Sequence, residues 1–262
     1  MNDNCNNTCL QIENLSLYFG AIKSLKDVCF NVKKGEILAI IGPNGAGKTS
    51  VINCITGYYQ PQKGKILFKG KDIIGFPQNK IAEMGICRTF QNPTTYPSMT
   101  ALEVLLASRY MHTHSTILEN MIYFGRSRRE EIASRRKVEE IISFTHIEDL
   151  RKKPIGMLSY GQRKQIDIAR VLAMEPELLL LDEPMSGLDD VMKEIMTELI
   201  ANINRSGATL VIIEHDIQFI MGISNSIIVL NFGEKIAEGT PEEISRNSEV
   251  MEAYLGKSGA EK

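Results

Sequence analysis

The segment GPNGAGKT, residues 42 to 49, constrains this chain more than any other part of its sequence. It matches the pattern G-x-x-x-x-G-K-[ST] in full and directly follows the apolar stretch EILAII. The residues KTSVINCITG are typical of a helix that ends at Gly57. A strand, a glycine-rich turn and a helix in this order predict a loop whose backbone N–H groups surround phosphate oxygens. A glycine-rich turn with a solvated lysine is the structural alternative, but the full match in this context favours a nucleoside triphosphate site.

The loop also predicts which residues contact the nucleotide. Lys48 is expected to place its positive charge at the β and γ phosphates, and the Thr49 hydroxyl is expected to hold Mg²⁺. The residues expected to bind the nucleotide are Gly42, Pro43, Asn44, Gly45, Ala46, Gly47, Lys48, Thr49 and Ser50.

A second segment, LLLLDEP, supplies the acids that such a loop requires. Its four leucines predict a buried strand, and Asp182 and Glu183 follow at the carboxyl edge, where sheets of this kind bind ligands. Because successive side chains of a strand point to opposite sides, we expect Asp182 to face Mg²⁺ and Glu183 to act as general base on the attacking water. Taken alone, the pair would be a solvated turn. The phosphate loop makes the catalytic interpretation the stronger one.

The rest of the pattern predicts an α/β fold. CLQIENLSLYF and GKILFKGKDI are typical of strands, the latter in a hairpin, and residues from about 100 to 153 indicate a helical insert. Beyond the insert, the apolar strands in ELLLLDEP, ATLVIIEHD and NSIIVLNFG alternate with helical stretches near 159–173, 189–204 and 216–222. This alternation predicts a parallel core sheet. A chain of 262 residues is long enough for one domain with an insert or for two close subdomains, and we expect one domain over 1–262 that includes the insert.

Charge and composition exclude several classes of function. A net charge of −2 gives no bulk attraction to nucleic acid, so no nucleic-acid partner is expected. The five cysteines are odd in number and scattered, unlike a disulfide framework. The apolar runs fall far short of the roughly 18 residues that a membrane span requires. The N-terminal segment MNDNCNNTCL has no hydrophobic core of a secretory signal. These features predict a cytoplasmic protein.

Six segments taken together resemble a known family. GPNGAGKT, RTFQNP, LSYGQ, LLLLDEP, SGLD and EHD occur in this order, as in the ATPase subunits of ABC transporters. The resemblance covers nearly the whole chain. It implies a P-loop NTPase of ABC type with a parallel core sheet, an antiparallel β subdomain and a helical insert. It also implies that the nucleotide is ATP.

The resemblance implies roles for residues outside the two segments described first. Phe19 would stack on adenine, with Tyr18 as the less favoured choice, because an aromatic just before this glycine is the usual platform in the family. Gln91 would contact Mg²⁺ and water and report the nucleotide state to the transmembrane partner. His215 would contact the γ-phosphate, and Asp189 would serve a contact across the ATPase dimer. The segment 92–98 and the insert from Thr100 onward are expected to receive a permease helix.

The helix start at LSYGQ departs from its counterparts elsewhere in the chain. Ser159 and Gln162 have the S-x-x-Q spacing of a capping box, so a plain helix start is the structural alternative. Two other predicted boxes, at residues 100–103 and 127–130, place a glutamate where this one has neutral Gln162. Arg163 and Lys164 follow, so the helix N-terminus is free to receive an outside anion.

The family resemblance implies which anion that is. It is the γ-phosphate of ATP bound to the opposite subunit of a head-to-tail dimer, with Ser159 and Gly161 as donors and Gln162 beside them. Tyr160 stands where the family more often has glycine, and matches a variant found among amino-acid importers.

A narrower resemblance concerns the transported solute. IAEMGICRTFQNP, IEHDIQFIMGISNSIIVLNFGEKIAEGTPEEI and VMEAYLG resemble the branched-chain amino-acid importer ATPases, whose relatives import urea and other amides. SGLDD departs from the AGLN expected at that point. The resemblance implies transmembrane permease subunits, a second ATPase subunit that is the same or a homologous chain, and an external solute-binding protein. It places the chain on the inner face of the membrane. Lipid or lipopolysaccharide export, and a non-transport role, are the alternatives.

Overall fold

The computed structural model describes residues 7–89, 96–112 and 126–255. Its contacts divide the chain into two compact units. The first contains the residues up to 88, residues 177–186 and those from 194 onward, and the second contains residues 89–176 and 187–193. The expectation of one domain over 1–262 stays a prediction.

The described residues form ten strands and nine α-helices. In chain order the strands are β1 (Thr8–Phe19), β2 (Ile22–Lys33), β3 (Ile37–Ile41), β4 (Lys63–Phe68), β5 (Lys71–Asp72), β6 (Ile86–Arg88), β7 (Leu178–Asp182), β8 (Thr209–Ile213), β9 (Ser226–Asn231) and β10 (Glu234–Gly239). The helices are α1 (Lys48–Ile55), α2 (Gln78–Glu83), α3 (Ala101–Ser108), α4 (Arg126–Phe144), α5 (Tyr160–Leu172), α6 (Asp190–Arg205), α7 (Ile217–Ile223), α8 (Pro241–Ser245) and α9 (Ser248–Leu255).

Four strands of the first unit form an antiparallel sheet in the order β2-β1-β4-β5. Leu10 on β1 lies opposite Val32 on one side and Phe68 on the other, and all three side chains are buried. The predicted hairpin is confirmed, since β4 pairs antiparallel with β5. This sheet is the antiparallel part of the predicted fold.

The second sheet of this unit has six strands in the order β10-β9-β3-β8-β7-β6. Every residue of β3, β7 and β8 is buried, as expected for central strands covered on both faces. All neighbours are parallel except β10, which runs antiparallel to β9. The sequence pattern did not indicate the three-residue strand β6 or the strand β10. The predicted parallel core and the α/β class are confirmed.

The register of the parallel strands places three loops at one edge of this sheet. Ile213, the last residue of β8, pairs with Ile40 of β3 and with Asp182 of β7. The chain therefore leaves all three strands at the same level. The segments beginning at Gly42, Glu183 and Glu214 follow directly, and they carry the residues that the sequence predicted for the site.

The second unit is built from helices. Its apolar core includes Ala101 and Leu105 of α3, Val138 of α4 and Ile166 of α5. The capping box of Thr100 and Glu103 is confirmed at the start of α3. The box expected at Ser127 is wrong, because α4 begins at Arg126 and Ser127 lies inside its first turn. Among the residues that the structure describes, no helix has both the length and the apolar character needed to cross a membrane.

Candidate active site

The phosphate-loop segment joins the buried strand β3 to helix α1, as the sequence predicted. Gly42 has φ of 150°, and a Cβ atom there would lie 2.1 Å from the carbonyl oxygen of Leu230. Gly47, with φ of 100°, stands at the N-cap of α1 without any side-chain cap, and a Cβ atom there would lie 2.7 Å from the carbonyl oxygen of Ser24. Both positions therefore require glycine. The first turn of α1 contains no acidic residue, so nothing on the helix neutralises its positive end.

Lys48 holds its charge within this loop. The side chain is buried, and Nζ donates hydrogen bonds to the carbonyl oxygens of Gly42 at 2.7 Å and Pro43 at 3.0 Å. An ammonium group and the positive end of a helix dipole thus meet at one short loop, an arrangement that binds anions. The other residues predicted to bind the nucleotide lie in the same segment. Asn44, Gly45 and Thr49 are exposed, and Ala46 is buried. Ser50 Oγ lies 2.8 Å from Ser24 Oγ.

Asp182 ends strand β7 as a buried carboxylate. Its Oδ2 accepts a hydrogen bond from Arg88 Nη2 at 2.6 Å, and Arg88 Nη1 donates to Asn53 Oδ1 on helix α1 at 2.6 Å. Arg88 was not among the predicted site residues. The available signal was a lone arginine at the end of the apolar segment ICR, three residues before Gln91.

Glu183 and His215 face each other across the edge of the sheet. His215 Nε2 lies 2.8 Å from Glu183 Oε1. The side chains of Asp182 and Glu183 point in different directions, as predicted, but the alternation of side chains along a strand is not the reason. Strand β7 ends at Asp182, and Glu183 has already left the strand with φ of 52°. This left-handed backbone leaves the Glu183 side chain accessible beside His215, whereas Asp182 is buried next to Arg88.

Phe19, the predicted adenine platform, ends strand β1 and is half exposed. Its ring meets that of Tyr59 edge to face, with centroids 5.0 Å apart, and Tyr59 also contacts Tyr58 at 5.0 Å. Tyr18, the less favoured choice, is less exposed and lies near the ammonium group of Lys23. Phe19 therefore offers an aromatic surface that Tyr59 supports from the side.

In the second unit, Ser159 is the N-cap of helix α5 and forms the predicted capping box with Gln162. Ser159 Oγ accepts from the backbone N–H of Gln162 at 3.2 Å, and the backbone N–H of Ser159 donates to Gln162 Oε1 at 3.1 Å. Of the three capping boxes that the described residues contain, this one has glutamine at the third helical position and the other two have glutamate. The hydroxyl proton of Ser159 remains a donor, because capping uses only an oxygen lone pair.

Two residues at this helix start are buried. Lys164 is buried, with Nζ 5.2 Å from the centroid of the Tyr160 ring. Gly161 is also buried, and a Cβ atom there would lie 2.9 Å from Met192 Cγ. Of the two predicted phosphate donors in this stretch, Ser159 is thus the exposed one.

Asp189 precedes helix α6 in the same unit. Its Oδ1 accepts a hydrogen bond from the backbone N–H of Met192 at 2.8 Å, which caps the helix. The residue is exposed. Gln91 lies outside the described residues, as do residues 92–95 of the segment expected to receive a permease helix.

Comparison with protein families gives two matches. Residues 25–186 match the family described as ABC transporter, and residues 234–260 match the family described as branched-chain amino acid ATP-binding cassette transporter. The chain is 37% identical to the high-affinity branched-chain amino acid transport ATP-binding protein BraF of Pseudomonas aeruginosa, over 95% of this chain and 98% of that protein. The corresponding protein LivG of Escherichia coli is 35% identical over the same shares.

Solved structures similar to this chain include ATP-binding cassettes. The ADP conformation of an ATP-binding cassette of an ABC transporter matches with a TM-score of 0.83 and 33% identity, over 95% of this chain and 99% of the other. A dimeric ATP-binding cassette bound to ADP and phosphate, in a post-hydrolysis state, matches with a TM-score of 0.74 and 26% identity, over 88% and 98%.

Proposed function

Because this chain belongs to the ABC transporter family, we propose that it is the ATP-hydrolysing subunit of an import complex for branched-chain amino acids or related amides. The observation that carries the proposal is the Glu183–His215 pair, which lies at the same sheet edge as the phosphate loop. The names of the relatives and the match of residues 234–260 support the choice of solute. Nothing in these matches favours lipid export or a non-transport role.

Glu183 is the residue we assign as general base. In this scheme the oxygen of a water molecule attacks the γ-phosphorus of ATP, Glu183 takes the proton of that water, and the bond from the γ-phosphorus to the bridging oxygen of ADP breaks. His215 holds Glu183 through its Nε2, and we also assign it to contact the γ-phosphate. Lys48 and the backbone N–H groups of the loop bind the β and γ phosphates, and Phe19 stacks on the adenine.

The oxygen ligands at this site suit Mg²⁺. Thr49 offers an exposed hydroxyl at the start of α1, Asp182 offers a carboxylate, and we assign Gln91 as the third protein ligand. Mg²⁺ usually binds one or two carboxylates together with phosphate oxygens and water, so a cage made of protein alone is not required. When bound, the ion would neutralise charge that develops on the phosphates.

The second unit supplies the residues that we assign to a neighbouring subunit's nucleotide. Ser159, Gly161 and Gln162 would meet the γ-phosphate bound by the opposite ATPase in a head-to-tail dimer, and Asp189 would contact that subunit. The dimeric solved cassettes support this assignment. The exposed hydroxyl of Ser159 and the absence of an acid in the first turn of α5 agree with an anion at this position.

The partners follow from the same proposal. The ATPase dimer would lie on the cytoplasmic face of the membrane beneath two permease subunits, and an external binding protein would deliver the solute. We assign the docking of a permease helix to the second unit, where the side chains of Tyr96 and Met157 are exposed.

Uptake by the complete complex tests the proposal. The chain is expressed together with the permease subunits, the second ATPase subunit and the solute-binding protein that the proposal requires, and uptake of labelled leucine, isoleucine, valine and urea is measured. Lys48→Ala should abolish uptake, because it removes the charge at the phosphates. Lys80→Ala is the matched control, since Lys80 lies on α2 in an exposed ion pair with Glu83 and should leave uptake unchanged. Uptake of none of these solutes, with lipid extraction in its place, would overturn the proposal.

A further inference from the structure

A third carboxylate, Glu214, directly precedes His215 in the loop after β8 and reaches the loop that carries Glu183. It is the residue after strand β8, and only 2% of its surface is exposed. Glutamate is almost never buried this fully unless its oxygens are satisfied. The reason for its burial therefore lies in what its two oxygens contact.

The carboxylate of Glu214 joins two loops. Its Oε1 accepts a hydrogen bond from the backbone N–H of Met185 at 2.6 Å, and Met185 lies two residues after Glu183. Its Oε2 accepts from the backbone N–H of His215 at 2.7 Å and, more weakly, from that of Asp216 at 3.4 Å. One side chain thus holds the segment after β7 and the segment after β8 at a fixed separation.

The backbone of Glu183 needs such support. Its φ of 52° lies in the left-handed region, which costs a residue with a side chain of order 1 kcal/mol or more and persists only where the surroundings hold it. The backbone N–H of Glu183 donates to the carbonyl oxygen of Ile213 at 2.8 Å, and its carbonyl oxygen accepts from the backbone N–H of Ser186 at 3.3 Å. Met185, two residues further on, is bound by Glu214. These contacts help to fix the position of Glu183 opposite His215.

We propose that Glu214 is a positioning residue for ATP hydrolysis, which fixes the loops after β7 and β8 so that His215 meets Glu183 in the productive geometry. The inference rests on the proposed function, in which Glu183 takes the proton of the attacking water. A carboxylate suits this task because both of its oxygens accept hydrogen bonds, whereas an amide has one accepting oxygen and one donating nitrogen.

The variant Glu214→Gln tests the proposal, because one of the two loops then faces an amide NH₂ in place of an acceptor. In the full chain, under conditions where the unchanged chain hydrolyses ATP, kcat should fall by roughly 10- to 100-fold, as expected when a catalytic pair is displaced by about 1 Å. The Kd for ATP should change by less than about threefold, since Lys48 and the phosphate loop keep their contacts. Glu214→Asp keeps the charge but is one methylene shorter, so it should also lower kcat.

Thr209→Val is the matched control. Thr209 lies at the opposite end of the same strand, is equally buried, and its Oγ1 accepts the backbone N–H of Gly35 at 3.0 Å. This variant loses a partly buried hydrogen bond at the other end of β8 but should retain its kcat. The ¹⁵N chemical shift of His215 Nε2, which reports the contact with Glu183, should change in Glu214→Gln and stay constant in Thr209→Val.

A comparison with Glu183→Gln separates this inference from the proposed function. If Glu183→Gln hydrolyses ATP normally, the proposed function fails. If Glu183→Gln is inactive but Glu214→Gln retains kcat and an unchanged His215 shift, only the role of Glu214 is overturned. A loss of activity in Glu214→Gln that merely follows the unfolded fraction, as measured by thermal unfolding, would also overturn it. In the double variant the two losses should not multiply, because Glu214 acts through Glu183.

Discussion

Arg88 connects the acid that ends strand β7 to the helix that follows the phosphate loop. One guanidinium nitrogen lies 2.6 Å from Asp182 Oδ2, and the other lies 2.6 Å from Asn53 Oδ1 on α1. The Asp182 side chain is 1% exposed and that of Arg88 is 22% exposed. The guanidinium of Arg88 therefore takes the place of water at the Asp182 carboxylate, which we assign as a ligand of Mg²⁺.

Arg88→Ala should lower the free energy of unfolding by about 3 kcal/mol, since it leaves a buried carboxylate without its cationic partner. Urea unfolding monitored by circular dichroism measures the change. Lys80→Ala removes a lysine from an exposed ion pair with Glu83 and should cost less than about 0.5 kcal/mol. Equal effects of the two variants would mean that the Arg88 contact is no more than a surface ion pair.

Phe19→Ala should weaken ATP binding by about 1 to 3 kcal/mol, the usual contribution of a base stacked on an aromatic ring. Binding of inorganic tripolyphosphate should stay unchanged, because the phosphate loop is untouched. Titration calorimetry with both ligands measures the two effects. Tyr18→Ala is the control for the alternative platform, and a larger loss of ATP affinity in that variant would transfer the role from Phe19 to Tyr18.

Ser159→Arg should leave ATP binding to the isolated chain nearly intact but abolish hydrolysis that depends on the ATPase dimer. The bulky side chain would occupy the place of the opposite subunit's γ-phosphate. Thr100→Arg is the matched control, because Thr100 caps α3 through the same kind of box with Glu103. Both variants should lose about 1 kcal/mol of stability from the broken cap. If both retain cooperative hydrolysis, Ser159 acts only as a helix cap.

Cys54 should make the stability of the chain fall above about pH 9. Burial raises the pKa of this thiol on α1 from its ordinary value of 9.0 to about 12. Between these values the unfolded chain loses the proton and the folded chain keeps it, so deprotonation favours unfolding by on the order of 1 kcal/mol per pH unit. Urea unfolding in reducing buffer at pH 8 and pH 10 should show a shallower decline in Cys54→Ala than in the unchanged chain. Identical declines would show that Cys54 does not contribute.

Local residue patterns predicted the parts of the site that lie within one segment. GPNGAGKT specified its own strand, turn and helix, because Gly42 and Gly47 each occupy a backbone position that excludes a Cβ atom. LLLLDEP specified a buried strand, since a run of leucines fits only where both faces are covered. Ser159 and Gln162, three residues apart, specified a capping box, and two hydrogen bonds join them.

The contacts between distant segments did not follow from such patterns. Arg88 reaches Asp182 and Glu214 reaches Met185 only after β6, β7 and β8 are set side by side. The left-handed backbone at Glu183 depends on the same arrangement. Strand alternation therefore predicted correctly that the side chains of Asp182 and Glu183 diverge, but it did not predict the backbone conformation that separates them. The strands β6 and β10 lie at the two edges of the parallel sheet, and β6 has only three residues, too few to display a period.

Single-turnover hydrolysis of labelled ATP by the unchanged chain and by Glu183→Gln tests the role of Glu183 as general base. We expect Glu183→Gln to bind ATP with an affinity within about threefold of the unchanged chain and to hydrolyse it roughly 10²- to 10⁴-fold more slowly, the size of a general-base contribution. An ATP-bound dimer should then accumulate and elute ahead of the monomer in size-exclusion chromatography. Hydrolysis at a nearly unchanged rate in Glu183→Gln would show that Glu183 is not the general base.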